Sequence, residues 1–338
     1  MSAGDVVLGL GIESSCDETA ASVVRNGREV LSNCVFSQIS LHQEYFGVVP
    51  EIASRAHLEL MNGLIAKAMD DAGISFSDLS YVAVTNRPGL VGSLLIGLQS
   101  AKAISFALRI PLVGVNHLEA HLYAPFLEGA NLAFPYIGLL VSGGNTALYV
   151  IRDIGAMELI GKTVDDAVGE AFDKVAKFLG LEYPGGPVIE KLAKTASKKK
   201  ILFPKILPDP EGDFRFSYSG IKTAVINFCK THPDVPKEEI VYSFQERALE
   251  ILARRLFEAV KKFGIKRIVV AGGVAANGRL REMISEHSSG DETIIIPSKG
   301  LCTDNAAMVA GIGYQYFKRK EFSNLNCDVH ARVAELLK

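Results

Sequence analysis

Two stretches of the chain follow one plan, and this internal repeat limits the folds open to it more than any other feature. Residues 6–13 (VVLGLGIE) form an apolar β-run, 14–19 (SSCDET) a small polar turn and 20–25 (AASVVR) a second β-run. Residues 136–141 (YIGLLV), 142–145 (SGGN) and 146–151 (TALYVI) repeat strand, tight turn and strand. More strand-forming sequence follows each hairpin, at 30–36 and 158–163, and then helix-period segments over 50–72 and 165–179. Each half later carries a strand that runs into a glycine turn and a helix start, YVAVTNRPGLVGSL at 81–94 and RIVVAGGVAANGRL at 267–280. The expectation is an α/β chain of two duplicated lobes with a central cleft, one over 1–130 and one over 131–338. Turn formers and a proline in FLEGANLAFP (126–135) set the boundary.

At 338 residues the chain can bury two cores, and its 48% apolar and 22% charged residues are those of a soluble globular protein. A net charge of -2 excludes the whole-chain basic footprint of a dedicated nucleic-acid binder, so any RNA contact is local or shared with a partner. Cys16, Cys34, Cys229, Cys302 and Cys327 are scattered and contain no CxxC pair, which supports neither a disulfide framework nor a cysteine zinc site. No secretory pattern opens the sequence, and a cytoplasmic location is expected. The apolar stretch 90–115 is interrupted by Gln99, Lys102, Arg109 and Pro111, and reads as a core helix followed by a strand, with no membrane association. Residues 191–216, with Lys191, Lys194, Lys198, Lys199, Lys200, Lys205 and three prolines, read as an inserted basic loop, equally a phosphate-tracking patch or a solvated surface. Helices are expected over 236–263 and about 303–319.

Small residues between strands let a backbone approach a phosphate, and Ser142-Gly143-Gly144 has that composition. A lone Gly-Gly is more often a plain hairpin turn, but the matching Ser14-Ser15 and Gly272-Gly273 turns favour nucleotide binding at strand ends. In NHLEAH (116–121), His117 and His121 share one helical face, with Asn116 as N-cap. The spacing alone suits a metal pair and an ordinary helix surface equally. Glu119 lies roughly 200° around the helix from His117, so this is not the zinc-protease HExxH arrangement. Asp304 in CTDNAAM is the leading third ligand, unless it is simply an acid favoured by a helix dipole. Two imidazoles and a carboxylate suit Fe²⁺ or Zn²⁺ acting as a Lewis acid. Asp165, Asp166, Glu170 and Asp173 are expected on one helix, followed by a rigid bare turn at Pro184-Gly185-Gly186-Pro187. Asp173 and Gly186 suit a ribose or amino-acid moiety, and Asn277 suits a base or sugar or else caps a helix.

Together GIESSCDETAAS (11–22), GVVPEIASRAH (47–57), RPGLVGSL (87–94), HLEAH (117–121), LLVSGGNT (139–146), the 165–187 segment, FSYSGIKTA (216–224), AGGVAANGRLR (271–281) and CTDNAAM (302–308) resemble the bacterial TsaD family over nearly the whole chain. That resemblance implies the actin-like ATPase fold of sugar kinases and Hsp70. It implies transfer of the threonylcarbamoyl group from threonylcarbamoyl-adenylate to N6 of adenosine at position 37 of tRNAs reading ANN codons, with release of AMP. It further implies one divalent metal per subunit, Fe²⁺ ahead of Zn²⁺, on His117, His121 and Asp304. The donor or another adenylate-type nucleotide falls to Leu140, Val141, Ser142, Gly143 and Gly144, with Asp173, Gly186, Glu190 and Asn277 as further substrate contacts. Glu190 stands where many members carry Asp. Asn145 replaces the family His of SGGHT, and Asn86-Arg87 replaces a glycine-rich turn, where Arg87 could compensate by contacting phosphate. Expected partners are tRNA, a shortened paralogue of the same fold (TsaB-like) and a small P-loop ATPase (TsaE-like).

Three competing readings carry different signatures. A kinase or ATPase of this fold needs a catalytic acid and Mg²⁺ rather than a histidine pair. A metalloprotease needs the base that Glu119 is misplaced to be. A nucleotide-binding scaffold without chemistry would tolerate loss of His117.

Overall fold

The computed structural model describes residues 6–45, 47–131, 133–198, 200–203 and 212–332. The chain divides into two compact units, Met1–Leu132 with Thr303–Lys338, and Ala133–Cys302.

The first unit begins with β1 (Leu8–Glu13), β2 (Glu18–Arg25) and β3 (Glu29–Ser37). It continues through a single turn α1 (Ile39–His42), α2 (Pro50–Ala72), β4 (Tyr81–Arg87), α3 (Val91–Leu108), β5 (Leu112–Asn116) and α4 (His117–Tyr123). The sheet order is β3-β2-β1-β4-β5. Neighbours β1, β2 and β3 run antiparallel, whereas β1, β4 and β5 run parallel. All six residues of β1 are buried, as a continuous apolar run requires of a strand covered on both faces. Pro50 starts α2 at a position whose N–H has no partner to lose, and Gly73 ends it at φ 66° with its N–H on the Asp70 carbonyl. Leu10, Ile12, Val23, Met61, Ile65, Val82, Val84 and Leu98 form this unit's core. Each such side chain stabilises the fold by about 1.5–3 kcal/mol.

The second unit comprises β6 (Tyr136–Val141), β7 (Thr146–Asp153), β8 (Ala156–Lys162), α5 (Val168–Phe178), α6 (Gly185–Ala193), α7 (Ser219–Thr231) and α8 (Lys237–Phe263). Then come β9 (Arg267–Ala271), α9 (Gly278–His287), β10 (Thr293–Ile295) and a single turn α10 (Lys299–Cys302). Its sheet order, β10-β9-β6-β7-β8, repeats the first sheet strand for strand, with the same parallel and antiparallel pairings. This is the duplicated α/β architecture that the two hairpins predict.

The last helix, α11 (Ala306–Arg319), groups with the first unit, against the expectation of a second lobe running from 131 to 338. Its backbone lies directly on β1: a Cβ built at Gly11 would stand 2.2 Å from the Ala306 carbonyl oxygen. Tyr81 Oη donates to the Ala310 carbonyl at 2.6 Å. Beyond α11 the weakly patterned tail is tied by polar bonds: Ser323 N–H to Leu112 O at 2.8 Å, and Asn86 Nδ2 to Asp328 O at 3.1 Å.

Other local expectations change. Helix α5 begins at Val168, so Asp165 and Asp166 precede it. Asp165 accepts from Tyr218 N–H and Ser219 Oγ, both at 2.7 Å, and from Ser217 Oγ, fastening the start of α7. Asp166 pairs with Lys174 and Lys222, each at 2.6 Å. Residues 184–187 are no free turn, because Pro184 caps α6 and the two glycines open it. Lys191 lies in the last turn of α6, and Lys199, Lys205 and the rest of 204–211 lie outside the described residues. Among the described helices α3 alone is long and apolar enough to cross a membrane. It buries Leu94, Gly97, Leu98 and Ala101, while Lys102 Nζ donates to the Cys327 carbonyl at 2.6 Å.

Candidate functional site

In the first unit β5 delivers the chain into α4 at Asn116, whose side chain accepts the Leu118 N–H at 3.0 Å. His117 and His121 then project from one face, their rings edge to face with centroids 4.6 Å apart. Asn305 caps α11 by accepting the Met308 N–H at 3.0 Å, which leaves Asp304 just ahead of the helix rather than in its first turn. Asp304 Oδ1 stands 2.9 Å from His121 Nε2 and 3.6 Å from His117 Nε2. One donor atom from each of the three residues lies within 4.8 Å of the others. Both imidazoles are buried, and the carboxylate is 18% exposed. Glu119 points elsewhere, accepting from Tyr316 Oη at 2.6 Å, as its angular position predicts.

Behind His117 stands a layer that the sequence reading passed over. Glu13, at the end of β1, is fully buried. Its Oε2 accepts from Thr85 Oγ1 at 2.6 Å and lies 3.1 Å from His117 Nδ1, while Oε1 accepts the Ser15 N–H at 2.6 Å. Ser15 Oγ is 3.2 Å from the same ring nitrogen. The available signal was an acid closing an otherwise apolar strand, a position that buries charge unless partners are waiting.

Burial alone would lower the His117 pKa, but the Asp304 and Glu13 carboxylates outweigh it and hold the group at about 9. Asp304 is lowered in turn: burial opposes ionisation, and the two imidazoles overcome it. His121 Nδ1 is buried and has no hydrogen-bond partner among the described residues, while its Nε2 faces Asp304. Two imidazole nitrogens and a partly exposed carboxylate at this spacing fit a divalent ion with coordination positions to spare.

In the second unit Leu140 and Val141 are fully buried on β6, so they offer no surface to a ligand and serve to carry the turn that follows. The turn that follows is closed by Ser142 N–H on Asn145 O at 2.8 Å and Asn145 N–H on Ser142 Oγ at 3.1 Å. Nothing stands within 4 Å of a Cβ built on Gly143 or Gly144, so the outer face of the turn is bare. Gly169, in the first turn of α5, donates its N–H to Ser142 O at 3.2 Å. A Cβ at Gly169 would come within 2.7 Å of that oxygen, so this helix start is pressed on the turn. Bare glycine amides beside a helix N-terminus make an anion-binding arrangement.

Of the remaining expected contacts, Gly186 and Asn277 lie at the starts of α6 and α9, while Asp173 and Glu190 lie within α5 and α6 and accept N–H groups from those starts. Asp173 Oδ1 accepts the Gly185 N–H at 2.7 Å, and the space around Gly186 is open. Glu190 Oε1 accepts from Gly278 N–H at 3.1 Å and Lys194 Nζ at 2.8 Å. Asn277 caps α9, accepting the Leu280 N–H at 3.1 Å and donating to Gln245 Oε1 at 3.1 Å. The structure thus groups Glu190 with Asn277 and Gly278, and Asp173 with Gly185. Arg87 Nη1 donates to Asn86 Oδ1 at 2.7 Å.

A family model described as "TsaD: tRNA N6-adenosine threonylcarbamoyltransferase" matches residues 29–311. A relative of that description from Treponema denticola is 49% identical over 329 residues, 96% of each chain. Another, from Geotalea daltonii, is 51% identical over 312 residues, 91% of each chain. Component A of the (R)-2-hydroxyglutaryl-CoA dehydratase of Acidaminococcus fermentans, a solved structure, matches with a TM-score of 0.55 at 15% identity, over 92% of this chain and 98% of that one. This last likeness bears on the fold alone, which is the actin-like ATPase fold.

Proposed function

Because the chain belongs to the TsaD family of tRNA N6-adenosine threonylcarbamoyltransferases, we propose a division of the reaction among its residues. The protein is a transferase that forms threonylcarbamoyladenosine in tRNA. In our reading the donor is threonylcarbamoyl-adenylate and the acceptor is N6 of adenosine 37 in tRNAs reading ANN codons. The N6 lone pair forms the new C–N bond at the carbamoyl carbon, the bond to the phosphate oxygen breaks, and its electron pair leaves with AMP while the N6 proton passes to solvent.

The observation that carries this reading is the convergence of His117, His121 and Asp304. These residues would hold one divalent metal, and the two-histidine, one-carboxylate set favours Fe²⁺ with Zn²⁺ second. When bound, the metal supplies charge neutralisation and carbonyl polarisation to the donor. The amides of Gly143 and Gly144, in the turn that Ser142 closes and beside the start of α5, receive the adenylate phosphate as fixed dipoles that need no reorganisation. The backbone of Leu140 and Val141 positions that turn, and Asp173, Gly186, Glu190 and Asn277 orient the nucleoside. An ATPase or kinase reading is not favoured, since the histidine pair has no role in it.

A net charge of -2 supports sharing of tRNA with partners, for which we propose a shortened paralogue of the same fold and a small P-loop ATPase, in the cytoplasm. Incubating the protein and those partners with threonylcarbamoyl-adenylate and tRNA tests the donor assignment. AMP should appear in step with the modified nucleoside, and nucleoside formed without AMP would overturn it.

A further inference from the structure

We propose that Glu13 is a positioning residue of the metal centre, holding His117 with its proton on Nδ1 so that Nε2 is presented to the ion. The inference rests on the metal-centre reading above and adds the residue that orients one of its ligands. Glu13 is fully buried, and its recorded partners are one hydroxyl, one backbone N–H and one imidazole. A buried carboxylate is costly unless its oxygens are satisfied, so this seat is specific. Thr85 donates its only hydroxyl proton to Oε2 at 2.6 Å, and the Ser15 N–H fixes Oε1 at 2.6 Å. With both oxygens pinned by β4 and by the turn after β1, the carboxylate cannot swing away from His117 Nδ1, 3.1 Å distant.

The ring nitrogen also lies 3.2 Å from Ser15 Oγ, but an ionised acceptor makes the stronger bond and takes the Nδ1 proton. Nε2 is then the ring nitrogen left to an ion, and it is the atom that faces Asp304, at 3.6 Å. His121 has no such backing among the described residues, where its buried Nδ1 has no hydrogen-bond partner. Among the described residues the centre is therefore backed by a carboxylate through His117. A carboxylate behind a ligating histidine fixes its tautomer and raises its basicity, and losing it weakens metal binding by about 10–100-fold.

Titration of the metal-free protein with Co²⁺, read by visible absorption under chelator competition, tests this without any assay of activity. The wild-type protein should bind Co²⁺ tightly and His117→Ala should not; a wild type that binds no Co²⁺ overturns the metal-centre reading and this inference with it. Given wild-type binding, Glu13→Gln should bind Co²⁺ roughly 10–100-fold more weakly. Thr85→Val, which keeps every charge and loosens the seat of Glu13, should weaken binding severalfold and serves alone if Glu13→Gln does not fold. Folded Glu13→Gln, or Thr85→Val in its place, with wild-type Co²⁺ affinity and an unchanged spectrum would overturn the assignment of Glu13 while leaving the metal centre standing.

Discussion

Gly11 on the first strand and Ala306 on the last helix meet backbone to backbone, with 2.2 Å between the position of a Gly11 Cβ and the Ala306 carbonyl oxygen. The contact sets how closely α11 lies on β1, and Asp304 leads directly into that helix. A Gly11→Ala substitution has no flexible side chain to displace and must push the helix backbone outward. It should destabilise the protein by about 1–3 kcal/mol, measured by urea unfolding, and weaken metal binding as Asp304 moves from the histidines. An unchanged midpoint would show that the helix accommodates the methyl group freely.

Asp304→Asn keeps the shape of the third ligand and removes its charge. Metal content after purification should fall at least about tenfold, with threonylcarbamoyladenosine formation falling alongside it. Full metal content in the variant would remove Asp304 from the centre.

Gly143→Val places a side chain on the bare face of the turn, where nothing stands within 4 Å of a Cβ. Stability should change by less than about 0.5 kcal/mol, because nothing is displaced. Donor KM should rise at least about tenfold, because the methyl groups occupy the approach to the amides. Unaltered KM would move phosphate binding away from this turn.

The start of α7 should loosen in acid. Burial pushes both Asp165 and Asp166 up, but bonds from Ser217, Tyr218 N–H and Ser219 to the first, and from Lys174 and Lys222 to the second, hold both below the ordinary 3.8. Groups lowered in the folded state stabilise it above their unfolded value, and that contribution is lost as pH falls through the folded one. Hydrogen exchange at 219–231 should therefore accelerate below about pH 4 relative to the α8 amides, and parallel behaviour of the two helices would contradict the assignment.

Much of this was legible because it is local. Strand, turn and strand at 6–25 and 136–151 repeat in sequence, and the two sheets repeat in the same order. His117 and His121 are paired by helical spacing alone. The rest depends on contacts between segments far apart in sequence: Asp304 reaches His121 across 183 positions, and Glu13 reaches His117 across 104. Periodicity cannot show that α11 crosses β1 at Gly11, so the sequence alone runs the second lobe to residue 338. Nor does composition separate a bare loop from a helix start, which is why Gly185-Gly186 reads as a turn until Pro184 is seen capping α6.

The most direct test of the central claim is mass spectrometry of tRNA nucleosides from cells depleted of this protein. The account predicts loss of threonylcarbamoyladenosine, restored by the wild-type chain and not by His117→Ala. Unchanged levels after depletion, in cells with no second copy of the family, would contradict it.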